Sequence, residues 1–195
     1  SIFSNKIIVS SVDPLAFTTV RNLVVGVVLT LILFATGKYK TLKNLKKSDW
    51  AKLALIGGIG GGTAFALFFA GLAKIGAVQG SLIHKTLFLW VAAFAVPFLG
   101  ERLSKIQVAG YFCIFLATFV ISGPATFIFN GGSLLVLLAT MLWAVENIIS
   151  KLALKHVSSQ VVAWARMSIG IPVLILITLA SGKGNLLTAP KTLAL

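Results

Sequence analysis

The chain has 195 residues, of which 58% are hydrophobic and 11% are charged, and its formal net charge is +13. Soluble domains carry about 25% charged residues, so this composition excludes an ordinary soluble domain and indicates a protein solvated by lipid. In a water-soluble protein the excess of Lys and Arg would suggest a nucleic-acid partner. In a membrane protein such an excess is more often a topology signal.

Six windows of mainly apolar residues are long enough to cross a hydrocarbon core about 30 Å thick. Residues 1–12 are apolar but too short to cross, and we interpret them as the end of a span whose beginning is absent. All windows are predicted to be α-helices, because unpaired backbone groups are not tolerated in lipid. In chain order the windows are 15–36, 51–73, 77–98, 104–122, 132–154 and 160–181.

The breaks between these windows differ in their basic residues. Loops 37–50, 100–105 and 151–158, with the residues beside them, hold ten Lys and Arg, whereas the alternate breaks hold three. The positive-inside rule predicts that these three loops are cytoplasmic in a multi-pass protein of the cell membrane. The Lys-rich loop is then expected to contact anionic lipid headgroups of the bilayer, and no nucleic-acid partner is expected.

An internal repeat appears when the chain is shifted on itself by 145 residues, which aligns residues 1–50 with 146–195 without a gap. The step contains five spans, and an odd number of spans inserts the second copy upside down. Inverted repeats recur in secondary transporters. The polar identities in this alignment are Lys6 with Lys151, Arg21 with Arg166, and the Gly-Lys pairs at 37–38 and 182–183.

The predicted fold is therefore an all-α integral membrane bundle built from a five-helix inverted repeat, with about six complete spans and part of a first. Residues 1–123 are the first repeat, without the start of its first helix. Residues 131–195 are the first part of the second repeat, which ends after its second helix. The inversion predicts that Arg21 lies near the outer face and Arg166 near the inner face.

The stretch from Gly71 to Gly123 contains a short turn of small residues at 73–77 and a helix that ends in Gly-Glu-Arg at 100–102. It resembles the EamA domain of the drug/metabolite transporter superfamily. The helices that carry Trp143 and Arg166 look like the opening of a second copy. The resemblance implies a ten-helix carrier of small metabolites in the inner or plasma membrane, with both termini cytoplasmic. This chain lacks the last three of those helices and the second Gly-Glu-Arg.

Glu146 is the only acidic residue within a predicted span, and Asn147 follows it. Because a charge inside a span is costly, such a residue is a functional candidate by default. The functional interpretation is a carboxylate linked to a proton or to the substrate. A structural ion pair between helices and a lipid-facing position are the alternatives.

His84 and Lys85 lie seven or eight residues into the 77–98 window. Lys85 and Arg21 could attract a carboxylate or phosphate on a substrate, whereas snorkelling of Lys85 and a hydrogen bond from His84 to a neighbouring helix are the structural alternatives. Lys85 could also pair with Glu146, and substrate binding or protonation would then separate the pair. On that hypothesis Glu146→Gln removes the pH dependence of transport.

Arg21 and Arg166 lie near the starts of equivalent helices, where they either snorkel to the interface or act as gates, one on each face. Trp90 and Trp143 are candidates for lining a cavity, with packing or interfacial anchoring as the alternative. Two overlapping G-x-x-x-G spacings predict close helix packing or a hinging contact. Their members are Gly57, Gly58, Gly61 and Gly62.

The function predicted from these features is alternating-access transport of a small polar or amphipathic metabolite, coupled to protons or to exchange. The basic residues within the spans favour an anionic substrate. The alternative is a non-transporting scaffold or a lipid-handling protein of the same fold, for which the charged residues would spread over lipid-facing surfaces. The sequence carries no enzyme signature and no Cys/His metal spacing, so we expect no catalysis, no cofactor and no metal.

Overall fold

A computed structural model describes residues 13–101, 104–122 and 129–182, and within these ranges the chain is helical without strands. The predicted partial span at residues 1–12, Arg102 and the segment 183–195 lie outside the described residues. The helices are α1 (Pro14–Ala35), α2 (Tyr39–Leu42), α3 (Lys47–Leu55), α4 (Ala64–Lys74), α5 (Ala77–Lys85), α6 (Leu87–Leu99), α7 (Lys105–Ser122), α8 (Gly131–Ala153), α9 (Ser159–Ser168) and α10 (Gly170–Ala180).

Five helical stretches are long and apolar enough to cross a membrane, which agrees with five of the six predicted windows. The sixth window, 104–122, coincides with α7. The five stretches are Pro14–Ala35, Lys47–Lys74, Ala77–Leu99, Gly131–Ala153 and Ser159–Ala180.

Three of the predicted windows are not continuous α-helices. A π-helical segment, Ile56–Thr63, joins α3 to α4, and we call it the π segment. The 77–98 window is interrupted at Thr86, whose hydroxyl donates to the Ile83 carbonyl at 2.6 Å. The 160–181 window is interrupted at Ile169, three residues before Pro172, which has no N–H to continue the helical ladder.

The ends of the helices follow their sequence signals. Asp13 caps α1 by accepting from the backbone N–H groups of Leu15 and Ala16 at 2.9 and 3.3 Å, and Pro14 takes the first helical position. Gly37 follows α1 and Gly182 follows α10, and each has a φ of +69° that favours glycine. These two glycines are equivalent in the predicted repeat.

The core lies between α1, α4, α5 and α8, where aromatic side chains dominate. Phe69 is 1% exposed and Phe68 is 4% exposed. A second core cluster joins α1, α3, α8 and α9 near the loops that carry most of the lysines. By contrast, the face of α1 that points away from the bundle exposes a row of large apolar side chains, as expected for contact with lipid. These are Leu23, Val24, Val27, Val28, Leu31, Ile32 and Phe34.

The three basic loops meet at one end of the bundle. The Thr36 hydroxyl, directly before the first loop, donates to the Gln160 side chain, two residues after the third loop, at 3.5 Å. Lys151 forms an ion pair with Glu101, which joins the third loop to the second. The loops that the positive-inside rule groups together therefore share a face in the folded chain.

Candidate transport site

Glu146 lies inside the bundle, on α8, and is 3% exposed. Its Oε2 is 3.3 Å from a guanidinium nitrogen of Arg166 on α9, so the two side chains form an ion pair. The Ser150 hydroxyl, one turn further along α8, donates to Oε1 at 2.8 Å. Gly60 of the π segment packs against the Glu146 side chain so closely that a Cβ there would lie 2.4 Å from Cγ. The glycine thus makes room for the carboxylate.

The two arginines of the predicted repeat meet on one aromatic ring. The Arg166 guanidinium carbon lies 5.9 Å from the centre of the Phe65 ring, and that of Arg21 lies 5.5 Å from the same centre. Arg21 also lies 5.7 Å from the centre of the Phe69 ring. Two groups this close to one ring cannot sit at opposite faces of a core about 30 Å thick. The expectation of one arginine near each face was wrong, because both side chains extend towards the aromatic cluster.

Arg21 is stabilised by aromatic faces rather than by a carboxylate. The chain has four acidic residues, all of them described, and none lies within 4 Å of the Arg21 guanidinium. Asp13 caps a helix, Asp49 pairs with Lys52, Glu101 pairs with Lys151, and Glu146 pairs with Arg166. A guanidinium within about 6 Å of a ring centre is attracted by the ring quadrupole, and this contact offsets part of its desolvation.

His84 joins the same cluster from α5. Its ring packs edge-on against Phe68 at 5.4 Å and against Trp143 at 5.1 Å between centroids. Trp143 in turn contacts Phe65 edge-on at 5.1 Å, so the aromatic residues connect His84 to the arginines. Among the described residues, Nδ1 of His84 has no hydrogen-bond partner. The imidazole therefore places a buried polar atom without a described partner within the aromatic cluster.

Three other candidates lie apart from this cluster. Lys85 is exposed, and the Glu146 carboxylate pairs with Arg166 instead, so the expected alternative pair of Lys85 with Glu146 does not form. Asn147 is also exposed, and its amide donates to the Trp143 carbonyl of its own helix at 2.7 Å. Trp90 is partly buried, and within the described residues its indole N–H has no partner.

The glycines of the π segment pack against α9 and α10. A Cβ on Gly61 would lie 1.6 Å from the Arg166 carbonyl oxygen, and a Cβ on Gly57 would lie 2.5 Å from Ile169. Gly62 is similarly close to Val173. Gly58 faces open space, since a Cβ there would meet no atom within 4 Å. Three of the four glycines singled out by the G-x-x-x-G spacings thus permit close backbone contact.

An apolar groove of about 280 Å³ lies between α1 and α9. None of the candidate ionisable residues lines it. Its lining residues are Leu29, Ile32, Leu33, Ser159, Gln160 and Ala163. In this conformation the ionisable candidates converge on packed aromatic rings rather than on this groove.

The sequence reasoning missed Asn22, Phe65 and Ser150. Asn22 is 1% exposed and its amide donates to the Gly61 carbonyl at 2.9 Å. An amide beside an arginine in an otherwise apolar window was a signal that could have drawn attention to it. Phe65 had no such signal, because one aromatic residue among many in a membrane helix does not indicate which ring will meet a cation.

Residues 1–123 match the family model described as the EamA-like transporter family. The chain belongs to this family. Two curated relatives of this EamA-like chain come from Bacillus subtilis (strain 168). The uncharacterized transporter YoaV is 24% identical over 156 residues, covering 78% of this chain and 52% of YoaV. The uncharacterized transporter YyaM is 26% identical over 168 residues, covering 83% of this chain and 54% of YyaM.

The EamA-like chain thus spans about half the length of these curated relatives. No solved structure matches it. The family and the long apolar helices together make it a multi-pass membrane protein. The family membership also favours transport over catalysis.

Proposed function

We propose that this protein is a secondary transporter that moves a small metabolite across the cell membrane by alternating access. The observation that carries the proposal is the Glu146 to Arg166 ion pair. Glu146, the only acidic residue within the six windows predicted from sequence, is buried and pairs with Arg166 on another helix, and the Arg21 guanidinium lies over the same Phe65 ring as that of Arg166. Charges inside spans usually mark substrate or ion pathways.

Contacts between the first and the last long helix support an inverted repeat. The α1 helix packs antiparallel on α9 and α10, with Trp164 donating to Thr30 at 3.0 Å and Thr19 meeting Thr178 at 3.4 Å. Near the middle of this contact Gly26 lies against Ile171, its equivalent 145 positions later. Equivalent residues touch where a two-fold axis passes between two copies, which is the geometry expected of inverted repeats.

An anionic substrate suits the charges at this site. Glu146 offsets the charge of Arg166, whereas among the described residues Arg21 lies over the Phe65 and Phe69 rings and pairs with no carboxylate. A carboxylate or phosphate between the arginines would supply the missing negative charge through charge-assisted hydrogen bonds, which are the stronger kind. Lys85 is too exposed to share this role in the present conformation.

The same ion pair can couple transport to protons or to exchange. An incoming anion competes with Glu146 for Arg166, and the displaced carboxylate then needs another positive partner, because leaving a buried charge unpaired is costly. A proton or a second substrate molecule must then restore the original state. The proposal takes the face with the basic loops 37–50, 100–105 and 151–158 as cytoplasmic, in line with the positive-inside rule.

Solute counterflow in proteoliposomes tests whether the protein is a carrier. The reconstituted protein would be loaded with unlabelled carboxylates, phosphate esters or neutral metabolites, and uptake of the same labelled compound would be followed. A carrier gives transient accumulation of at least one compound, and anionic compounds are expected to give it. A scaffold or lipid-handling protein gives no accumulation with any of them.

Arg21→Gln, with Lys85→Gln as the control, tests the charge preference. Because Arg21 has no acidic partner and Lys85 is exposed, the first substitution should raise KM for an anionic substrate about tenfold or more. The second should leave KM within about twofold, as is usual for an exposed charge. Equal effects of the two substitutions would contradict the assignment of Arg21.

A further inference from the structure

The π segment places irregular backbone in the middle of a membrane-spanning stretch. Ile56–Thr63 contains five glycines and adopts a π-helical rather than an α-helical path. A π-helical turn holds an extra residue, and such turns are rare and occur mostly at functional sites. In a membrane, irregular backbone is tolerated where protein groups satisfy its hydrogen bonds.

Two buried side chains from different helices bind neighbouring carbonyls of this segment. The Trp143 indole N–H on α8 donates to the Gly60 carbonyl at 3.0 Å. The Asn22 amide on α1 donates to the Gly61 carbonyl at 2.9 Å. Both donors are nearly inaccessible, with exposures of 5% and 1%. A helix of the predicted first repeat (α1) and a helix of the predicted second repeat (α8) therefore both bind the Gly60 to Gly61 backbone.

This piece of backbone also contacts the ion pair and the break between α9 and α10. Gly60 packs against the Glu146 side chain, while Gly61 packs against the Arg166 carbonyl and the Gly170 backbone. A shift of the Gly60 to Gly61 peptide towards these neighbours requires one of them to move. Movement of the π segment and rearrangement of the ion pair are thus mechanically linked.

Asn22 shows that the contact is more than efficient packing. Its Oδ1 is buried and, among the described residues, accepts no hydrogen bond. Buried polar atoms without partners are uncommon in folded proteins and call for an explanation. An apolar side chain of similar size would fill this position without leaving a buried polar atom unpaired.

We infer that Asn22 and Trp143 are positioning residues that hold the Gly60 to Gly61 peptide against the Glu146 to Arg166 pair, and that the π segment is the hinge of the transport cycle. Release of the two hydrogen bonds lets the stretch from α3 to α4 bend at the glycines while the ion pair opens. This inference rests on the proposed transport function for its role in the cycle, but the positioning itself is independent of transport.

Hydrogen exchange measured by mass spectrometry, with the protein in nanodiscs, tests the positioning. Trp143→Phe removes the indole donor and keeps an aromatic ring, and Asn22→Leu removes the amide. Each should accelerate amide exchange in residues 56–63 about fivefold, as expected for the loss of one ordinary hydrogen bond. Trp90→Phe is the matched control, since the Trp90 N–H has no partner among the described residues, and it should leave exchange unchanged. Unchanged exchange in Trp143→Phe, or an equal increase throughout the chain, would overturn the positioning role.

Gly58→Ala and Gly110→Ala test the hinge. A Cβ at either position meets no described atom within 4 Å, so neither substitution disturbs the described packing, but only Gly58 lies in the π segment. Alanine restricts the backbone, so Gly58→Ala should slow exchange in residues 56–63 and lower kcat for transport at least threefold with KM unchanged. Gly110→Ala should leave both at the wild-type level. A wild-type kcat in Gly58→Ala would refute the hinge.

The two sets of measurements separate this inference from the proposed function. If the exchange results appear as expected and no compound shows counterflow, the positioning role stands and the transport function fails. If counterflow occurs and exchange does not respond to Trp143→Phe, the transport function stands and the inference fails.

Discussion

Replacing Glu146 by Gln changes the most buried charge in the described chain. The substitution keeps the side-chain volume and an oxygen that can accept from Ser150, and it removes the negative charge opposite Arg166. Breaking a fully buried ion pair by removing one partner costs about 3–5 kcal/mol. The Arg166 side chain is 33% exposed, however, so solvent screens part of this loss. We expect the free energy of unfolding to fall by about 1–3 kcal/mol.

Glu101→Gln is the matched control, because Glu101 also pairs with a cation but is 38% exposed and its partner Lys151 is 57% exposed. Exposed pairs contribute about 0–1 kcal/mol. The assay is reversible unfolding in mixed micelles, followed by circular dichroism. Adding Arg166→Gln completes a double-mutant cycle, which should give a coupling energy of at least about 1 kcal/mol with Glu146. The reasoning would be refuted if Glu146→Gln and Glu101→Gln lowered the unfolding free energy equally, or if the effects of Glu146→Gln and Arg166→Gln were strictly additive.

Further substitutions test the packing of the π segment, the cap of α1 and the exposed ion pair. Gly61→Ala should lower the unfolding free energy by about 1–3 kcal/mol or more, because its Cβ would lie 1.6 Å from a carbonyl oxygen of α9, whereas Gly58→Ala in open space should not lower it. Asp13→Ala should cost about 1 kcal/mol and accelerate hydrogen exchange in the first turn of α1, because it removes the cap. Reversing the charge of either Glu101 or Lys151 alone should lower the thermal midpoint slightly, and the double reversal should restore it.

The helices were predictable from the sequence because lipid leaves few alternatives. The window 15–36 became α1 at Pro14–Ala35, and the window 132–154 became α8 at Gly131–Ala153. Backbone groups in hydrocarbon must bond internally, so a long apolar run is enough to predict a helix. The interruptions were harder to predict. The glycines near Gly58 predicted close packing or hinging, but glycine permits many backbone paths, and its presence alone does not select a π-helical one.

Which residues belong to the site was easier to predict from the sequence than which of them contact each other. Glu146 was identified from its cost in a membrane, yet its partner proved to be Arg166 rather than Lys85. Which of several cations meets an acid depends on how the helices rotate and cross, and this is set by the packing of many small contacts. The convergence of Arg21 on Phe65 depends on the same packing. A repeat found by alignment pairs equivalent residues without indicating how deep their side chains reach.

The most direct test of the account is the pH profile of the initial transport rate in proteoliposomes, for a compound that shows counterflow. Wild type and Glu101→Gln should give rates that change with pH, since the buried pair of Glu146 with Arg166 is intact in both. Glu146→Gln should give a rate that is independent of pH over the same range, because the residue proposed to bind the proton is absent. A Glu146→Gln protein that transports with the wild-type pH profile would contradict the central claim that this ion pair couples the cycle.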